Sequence, residues 1–333
     1  MNLRIAYKTL SFCLLACSVG ACSFCQNIAR SAAPGASPSP VPTRKLEPYV
    51  AYLYEGDLWV IRSDGTDQRM LAAAPEGETI QDFVWAAEGD RLFFSIGLKI
   101  FEVNLQNGNV ASAGELTARP GFVIDRLEMG RDGKTIVIQA LGADASPRLF
   151  ALTIGGRDSR ELTVDEYASL IKQRPPVIRG IGEMSVSPDG GRVLFKDVVG
   201  DGEELFVADA ETGARIKITN LNELSGFEDS VQAEGGRRVI EATWSPDGRY
   251  IIFNPMQSCS ESGLCYGRLF LVDAWGGQQL QLSIEMMINL PVEWASDNKL
   301  LVYDDGSSVV VSDTKGNPRA LAEGHYPKWR PQS

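Results

Sequence analysis

Short apolar runs bounded by turn residues recur along the chain from about residue 49 onward. The clearest unit has the turn WSPDGR at 244–249, followed by the apolar run YIIF at 250–253. A second unit has VSPDGG at 186–191, followed by the apolar run VLF at 193–195. Weaker copies of the turn lie at 85–90, 129–134 and 294–299. This alternation predicts repeated strand–turn–strand units.

The residue types within the turn explain why the chain reverses there. Proline presets φ for the first corner of a type I turn, and aspartate accepts hydrogen bonds from nearby backbone. Glycine or asparagine then adopts the positive φ that the reversal requires. A third apolar run follows, as in LFVA at 205–208, and a short fourth run closes the unit, as in IKIT at 216–219. Each unit is therefore predicted to contain four antiparallel strands.

The spacing of these units predicts the fold. Their anchor positions, 85, 129, 186, 244 and 294, repeat at an interval typical of the blades of a β-propeller. The two longest intervals contain extra segments. One is a predicted helix that begins at Thr163, forms a capping box with Glu166 and ends at Pro175, and the other is a polar loop at 221–238.

The two ends of the repeat region complement each other. The chain enters at 50–54 without a preceding first strand, whereas YPKWRP at 326–331 resembles a first strand with its turn. A blade shared between the ends would close the ring and remove its sheet edges. The prediction is an all-β, six-bladed β-propeller of four-stranded blades over residues 49–333, closed by a C-terminal strand that completes the N-terminal blade.

These turns also carry a resemblance to a known family. The WSPDG-type repeats are similar to the WD-like repeats of bacterial TolB-like proteins, over roughly residues 49–331. The resemblance implies the six-bladed fold. TolB proteins carry an α/β domain before the propeller, where this chain has a predicted signal and tether, so the resemblance implies fold rather than function.

The N-terminal segment has the pattern of an export signal rather than of a folded element. Arg4 and Lys8 precede an apolar stretch at 9–21 that is too short to span a bilayer comfortably. It ends in VGAC at 19–22, which resembles the bacterial lipobox, whose cysteine carries a diacylglycerol. Residues 1–21 are therefore predicted to be a lipoprotein signal peptide with Cys22 lipidated, and Cys17 in LLAC is the alternative.

The residues after Cys22 predict a tether and a location. Residues 22–48 are rich in Pro, Ala and Ser and cannot bury a core, so a disordered tether is expected. Ser23 after the lipidated cysteine resembles the pattern of outer-membrane sorting in Gram-negative bacteria. We expect an exported protein, anchored to the cell envelope at the periplasmic face of the outer membrane if the source is Gram-negative.

Charge and motifs exclude several functions. The net charge is −11 without a dense Lys/Arg patch, so nucleic acid is not an expected partner. The chain has one histidine, His325, and neither a G-x-S-x-G elbow nor an H-E-x-x-H motif. The acidic segment at 197–204 lacks the ligand spacing of a calcium loop. No catalytic residue, metal or cofactor is predicted, and His325 is interpreted as structural.

Two further residue sets have structural interpretations. The tryptophans at 85, 244, 294 and 329 occupy one place in the repeat and are predicted to pack between blades. Cys259 and Cys265 lie in a polar loop between two strands and are predicted to form a disulfide, because export favours oxidation.

The first strand of every blade lies innermost in a propeller, and its side chains alternate between channel and blade packing. Positions two before each anchor are mostly apolar, whereas the other face is polar. Carboxylates so close together would favour a bound cation or a basic peptide segment. The predicted channel residues are Asp82, Arg126, Glu128, Glu183, Glu241, Glu293 and Lys328.

Two functional hypotheses follow from this pattern. The first is a non-catalytic scaffold of the cell envelope that binds a protein or peptide. The second is a six-bladed propeller enzyme of the lactonase or glycan-processing type that uses a metal in the central channel.

Overall fold

The structure is a computed structural model that describes residues 48–117, 121–143, 146–156, 159–171, 184–200, 202–224, 238–259, 265–283, 286–287 and 292–331. The predicted signal peptide, nearly all of the predicted tether and the lipidation residue Cys22 lie outside the described residues. So does the predicted channel residue Glu183.

Six antiparallel sheets account for the described strands. The first blade contains β1 (Tyr49–Tyr54), β2 (Asp57–Arg62), β3 (Arg69–Ala72) and β26 (His325–Trp329). The second contains β4 (Phe83–Trp85), β5 (Arg91–Ile96), β6 (Lys99–Asn104) and β7 (Val110–Glu115). The third contains β8 (Val123–Met129), β9 (Thr135–Leu141), β10 (Pro147–Thr153) and β11 (Ser159–Glu161).

The remaining three blades follow in chain order. The fourth contains β12 (Met184–Val186), β13 (Arg192–Val199), β14 (Gly202–Asp209) and β15 (Arg215–Lys217). The fifth contains β16 (Val239–Trp244), β17 (Tyr250–Cys259), β18 (Cys265–Gly267), β19 (Phe270–Asp273), β20 (Leu280–Gln281) and β21 (Met286–Met287). The sixth contains β22 (Val292–Trp294), β23 (Leu300–Asp304), β24 (Ser308–Asp313) and β25 (Pro318–Glu323).

The predicted six-bladed β-propeller and its mode of closure are confirmed. Strand β26 pairs with β1 in an antiparallel ladder that places Val50 opposite Trp329 and Ala51 opposite Lys328. The core lies between adjacent blades. One buried cluster joins residues of the first and second blades, and another joins Val302 and Val309 of the sixth blade to Val50 and Tyr52 of the first.

The repeated turn has the same hydrogen bonds in different blades. The Ser245 amide donates to Tyr250 O (2.8 Å), and the Gly248 amide donates to Ser245 O (2.8 Å). Ser187 and Gly190 make the equivalent bonds in the fourth blade. Asn298 takes the glycine position in the sixth blade with a φ of 59°. The predicted positive φ at Gly or Asn is thus observed.

The first insertion forms a helix that begins where predicted, and the predicted stop, Pro175, lies outside the described residues. Helix α1 (Val164–Leu170) begins at the N-cap Thr163, whose side chain forms a capping box with Glu166. Tyr167 and Leu170 pack against Val137 and Ala151 of the third blade. Of the predicted polar loop at 221–238, the structure describes a single 3₁₀ turn (Leu221–Glu223) at its start and Arg238 at its end.

The fifth blade departs from the four-stranded pattern. Strand β17 is 10 residues long and extends beyond the blade, where it pairs with β18, which in turn pairs with β21. This extension places the backbones of Cys259 and Cys265 directly opposite each other. The disulfide between them stays a prediction.

The recurring tryptophans pack between blades, as predicted, and three of them also connect neighbouring blades. The indole Nε1 of Trp85 donates to Lys328 O, that of Trp244 to Ser185 O and that of Trp329 to Glu293 O, each at 3.1 Å. Each acceptor lies one residue before the anchor of the preceding blade. The indoles therefore satisfy carbonyls on inner strand edges that no strand covers.

Replacing Trp85 with Phe should lower the free energy of unfolding by more than replacing Trp294 with Phe does. Both changes remove similar ring volume, but within the described residues the buried Trp294 Nε1 has no hydrogen-bond partner. The difference should be about 1 kcal/mol, the net contribution of one hydrogen bond. Urea unfolding of both variants measures it, and equal losses would contradict the role assigned to the indole bond.

Candidate functional site: the channel cavity

A cavity of about 990 Å³ lies in the central channel. Its wall is formed mainly by first strands of the second, third, fifth and sixth blades and by the closing strand β26. Among the residues that line it are Asp82, Asp125, Arg126, Glu128, Glu241, Glu293, Tyr326 and Lys328. Six of the seven predicted channel residues therefore lie together, and the seventh, Glu183, is outside the described residues.

Strand alternation explains this placement. Phe83 and Leu127, two positions before their anchors, are fully buried in the packing between blades. Their neighbours Asp82, Arg126 and Glu128 line the cavity. Successive side chains of a strand point to opposite faces, so an apolar residue between polar ones directs the polar pair into the channel.

Asp82 is the most connected carboxylate in the cavity. It is buried, and its Oδ2 accepts a hydrogen bond of 2.7 Å from the Leu127 amide of the next blade. Its Oδ1 accepts a hydrogen bond of 2.7 Å from Lys328 Nζ on the closing strand. Asp82 thereby connects three consecutive blades, and the charges of Asp82 and Lys328 offset each other.

Glu293 lies in the sixth blade, on the other side of the closing strand. Its Oε2 accepts a hydrogen bond of 3.0 Å from the Trp329 amide. Burial raises the pKa of its carboxyl from 4.5 to about 7, although Lys328 and the Trp329 amide both favour the charged form. Glu293 is therefore a carboxyl group that changes charge near neutral pH.

Glu128 and Glu241 have fewer partners. The Tyr167 hydroxyl on helix α1 donates to Glu128 at 3.3 Å, so the insertion contacts a residue of the cavity wall. Glu241 is exposed to the channel, yet the surrounding protein wall raises the pKa of its carboxyl, and nearby Arg126 partly lowers that pKa. Within the described residues, no ion pair involves Glu241.

Sequence reasoning missed some of these features. Asp125 also lines the cavity, where it accepts a hydrogen bond of 2.8 Å from Gln139 Nε2. A register shift between Ile124 and Arg126 accompanies its placement, and residue types alone do not reveal such a shift. The contact between Tyr167 and Glu128 has no sequence signal, because the two residues are 39 positions apart.

His325 lies beside the cavity at the ring closure. Its Nδ1 is 2.9 Å from Oδ2 of Asp304, a fully buried residue of the sixth blade. The Tyr326 amide donates to the same oxygen at 3.3 Å, and the Gly306 amide donates to the other at 2.7 Å. The histidine thus connects the closing strand to the sixth blade.

Two features are absent from the described part of the chain. No group of three or more His, Cys, Asp or Glu side chains is arranged to hold a metal ion there. Over those same residues, no helix is long and apolar enough to cross a membrane.

Comparisons with known proteins show similarity of fold alone. No protein-family model matches the chain. No curated protein matches it either. Among solved structures, the chain is similar to the AtxE2 isopeptidase, with 12% identity, a TM-score of 0.51, and coverage of 83% of this chain and 49% of that one. The chain therefore spans about half the length of that protein.

Two other solved structures are similar to the chain at lower TM-scores. TolB from Acinetobacter baumannii shares 15% identity, with a TM-score of 0.47 and coverage of 86% of this chain and 67% of that one. A putative 6-phosphogluconolactonase from Bacteroides fragilis shares 12% identity, with a TM-score of 0.42 and coverage of 88% and 99%. The protein is a six-bladed β-propeller, a conclusion that rests on its six sheets, and these similarities concern the fold alone.

The raised pKa of Glu293 gives a pH dependence of stability. When the pKa of a carboxyl is higher in the folded protein than in the unfolded one, the unfolding free energy falls as the pH rises from the unfolded-state pKa to the folded-state pKa. Relative to Glu293→Gln, the wild type should therefore lose on the order of 1 to 3 kcal/mol of unfolding free energy between about pH 4.5 and 7. Urea unfolding across this range tests the prediction.

The matched control is Glu76→Gln, a change at an exposed loop carboxylate. Its stability should follow that of the wild type at every pH. A Glu293→Gln variant whose stability also runs parallel to the wild type would contradict the assignment.

Proposed function

We propose that this protein is a non-catalytic binding propeller of the bacterial cell envelope, whose channel cavity takes a basic segment of a partner protein or peptide. The charge of the cavity wall carries the proposal. Five carboxylates line the cavity, namely Asp82, Asp125, Glu128, Glu241 and Glu293, against the two basic groups of Arg126 and Lys328.

One of the two basic groups is already paired with a carboxylate of the wall. Lys328 is engaged by Asp82, so Arg126 is the basic residue left to oppose the other carboxylates of the wall. Unlike a metal site, this wall spreads its charges over several blades. Distributed negative charge in a wide cavity suits an extended cationic ligand better than a single ion.

An enzymatic role is the alternative. A propeller lactonase or glycan-processing enzyme would use a metal in the channel, and the described residues offer no ligand group for one. Nothing in the described channel favours that reaction, so the binding role is the one proposed.

The proposed location rests on the sequence. Export and lipidation at Cys22 would place the propeller at the envelope surface, joined to the membrane through the Pro/Ala/Ser-rich segment at 22–48. The lipid anchor would then hold the protein at the membrane, and the cavity could bind an envelope protein.

Metabolic labelling with a clickable fatty acid tests the anchor. The wild type expressed in a lipoprotein-processing bacterium should be labelled, and Cys22→Ala should lose the label. Cys17→Ala is the matched control and should keep it. Labelling that is lost in Cys17→Ala and kept in Cys22→Ala would reverse the assignment.

Binding of an acetylated and amidated hexaarginine peptide tests the cavity. At pH 8 and moderate salt, a Glu241→Gln/Glu293→Gln variant should bind it at least fivefold more weakly than the wild type, because two carboxylates of the wall lose their charge. Arg126→Gln should bind it more tightly, because a repelling charge is gone. Isothermal titration calorimetry measures both.

The control separates the cavity from the net charge of the molecule. Glu76→Gln/Glu78→Gln removes the same charge from an exposed loop and should leave the peptide affinity within twofold of the wild type. Equal weakening in the two double variants would mean that the peptide binds by general attraction and would overturn the proposed site.

A further inference from the structure

The closing strand β26 contains a bulge at the wall of the channel cavity. Its pairing with β1 shifts register between Ala51 and Leu53. Two residues of β26, Tyr326 and Pro327, lie there against one residue of β1, which is the pattern of a β-bulge. Tyr326 has a φ of 55°, in the left-handed region that residues other than glycine rarely adopt. Bulges of this kind change the direction of a side chain.

Surrounding contacts hold this backbone conformation in place. The Tyr326 amide donates to Oδ2 of the buried Asp304 at 3.3 Å, and His325 Nδ1 lies 2.9 Å from the same oxygen. Gly324, just before the bulge, has a φ of 145°, and a Cβ there would lie 2.5 Å from Cδ2 of Tyr52. The chain is thus fixed on both sides of Tyr326.

The Tyr326 ring has a free face in the cavity. The residue lines the cavity and is 49% exposed. Within the described residues its hydroxyl forms no hydrogen bond, and its ring contacts the His325 ring, with centroids 6.3 Å apart. No cation of the described chain lies over this ring, whereas Lys328 Nζ lies 4.9 Å from the centroid of the Phe83 ring.

Folding alone does not favour a tyrosine at this position. Glycine or asparagine adopts a left-handed φ at lower cost. A half-exposed ring also contributes less burial than a core aromatic does. Strained backbone is found at ligand sites, where the strain holds a group in a useful position. The bulge therefore directs attention to what the ring contacts in the cavity.

We infer that Tyr326 is a specificity residue of the channel cavity, which stacks on an arginine guanidinium of the basic ligand and strengthens the preference of the cavity for arginine over lysine. The inference rests on the proposed function, because it names the cationic group that the same cavity takes.

The chemistry of the wall favours this group. A planar guanidinium stacks on an aromatic face and keeps its in-plane N–H donors for carboxylates, such as those of Asp125, Glu128 and Glu241. An ammonium is a compact, strongly hydrated point charge and gains less from the ring. The protein shows the same contact elsewhere, where the Arg249 guanidinium lies 4.9 Å from the centroid of the Tyr250 ring.

Calorimetry with acetylated and amidated hexaarginine and hexalysine at pH 8 and moderate salt tests the inference. Wild type should bind hexaarginine more tightly than hexalysine. This preference is not diagnostic by itself, because carboxylates alone also favour the bidentate guanidinium. The diagnostic quantity is the change in the preference when the Tyr326 ring is removed.

Three variants of Tyr326 measure that change. Tyr326→Leu should weaken hexaarginine binding about fivefold, the size of one cation–π contact, and leave hexalysine binding within twofold. Tyr326→Phe keeps the ring and should leave both affinities within twofold of the wild type. Tyr326→Asn should lose the same preference as Tyr326→Leu but melt no lower than it, because asparagine tolerates a left-handed φ. The asparagine variant provides a folded test if the leucine variant does not fold.

Trp275→Leu is the matched control. Trp275 is 71% exposed and does not line the cavity. Its removal should leave both peptide affinities within twofold of the wild type. A loss of arginine preference in this variant equal to that in Tyr326→Leu would contradict the assignment of the contact to the cavity.

The outcomes distinguish this inference from the proposed function. Equal weakening of both peptides by the leucine and asparagine variants, no weakening of either peptide, or loss of the preference in Tyr326→Phe would each overturn the stacking contact. The proposed function would stand in those cases if Glu241→Gln/Glu293→Gln still weakens hexaarginine binding. No binding of either peptide to the wild type would overturn both.

Discussion

The unpaired inner edge of each blade is the constraint on which this structure depends. A first strand pairs with the second strand of its own blade, and its other edge faces the channel, where no strand can cover it. Side chains of neighbouring blades supply the missing partners. Indoles donate to inner carbonyls, as Trp85 does to Lys328, and carboxylates accept from inner amides, as Asp82 does from Leu127.

The same constraint places negative charge in the channel. Carboxylates suit inner amides because a charged acceptor forms the stronger hydrogen bond, and Asp82 and Glu293 are both used in this way. Glu241 differs, because it is exposed to the channel and forms no ion pair among the described residues. Asp82 and Glu293 therefore help to close the ring, whereas the carboxylate of Glu241 is available to a ligand in the cavity.

The fold was predictable because its signal is local and repeated. The turns at 187–192 and 245–250 depend on residues within one hairpin, and alternation along β4 and β8 assigned Asp82 and Glu128 to the channel. Pairings across the ring were not predictable in this way. Asp82 and Lys328 are 246 positions apart, and the pKa of Glu293 depends on burial by other blades.

Closure and channel charge are coupled through the closing strand. Lys328 holds Asp82 of the second blade, while the Trp329 amide and indole both bind Glu293 of the sixth. His325 adds a contact to the buried Asp304. Displacement of β26 would therefore remove Lys328 from Asp82 and the Trp329 amide from Glu293, and the cavity would lose a basic group at the same moment. A ligand that engages Glu293 would act on the residue that secures the ring, so binding and the stability of closure share one set of contacts.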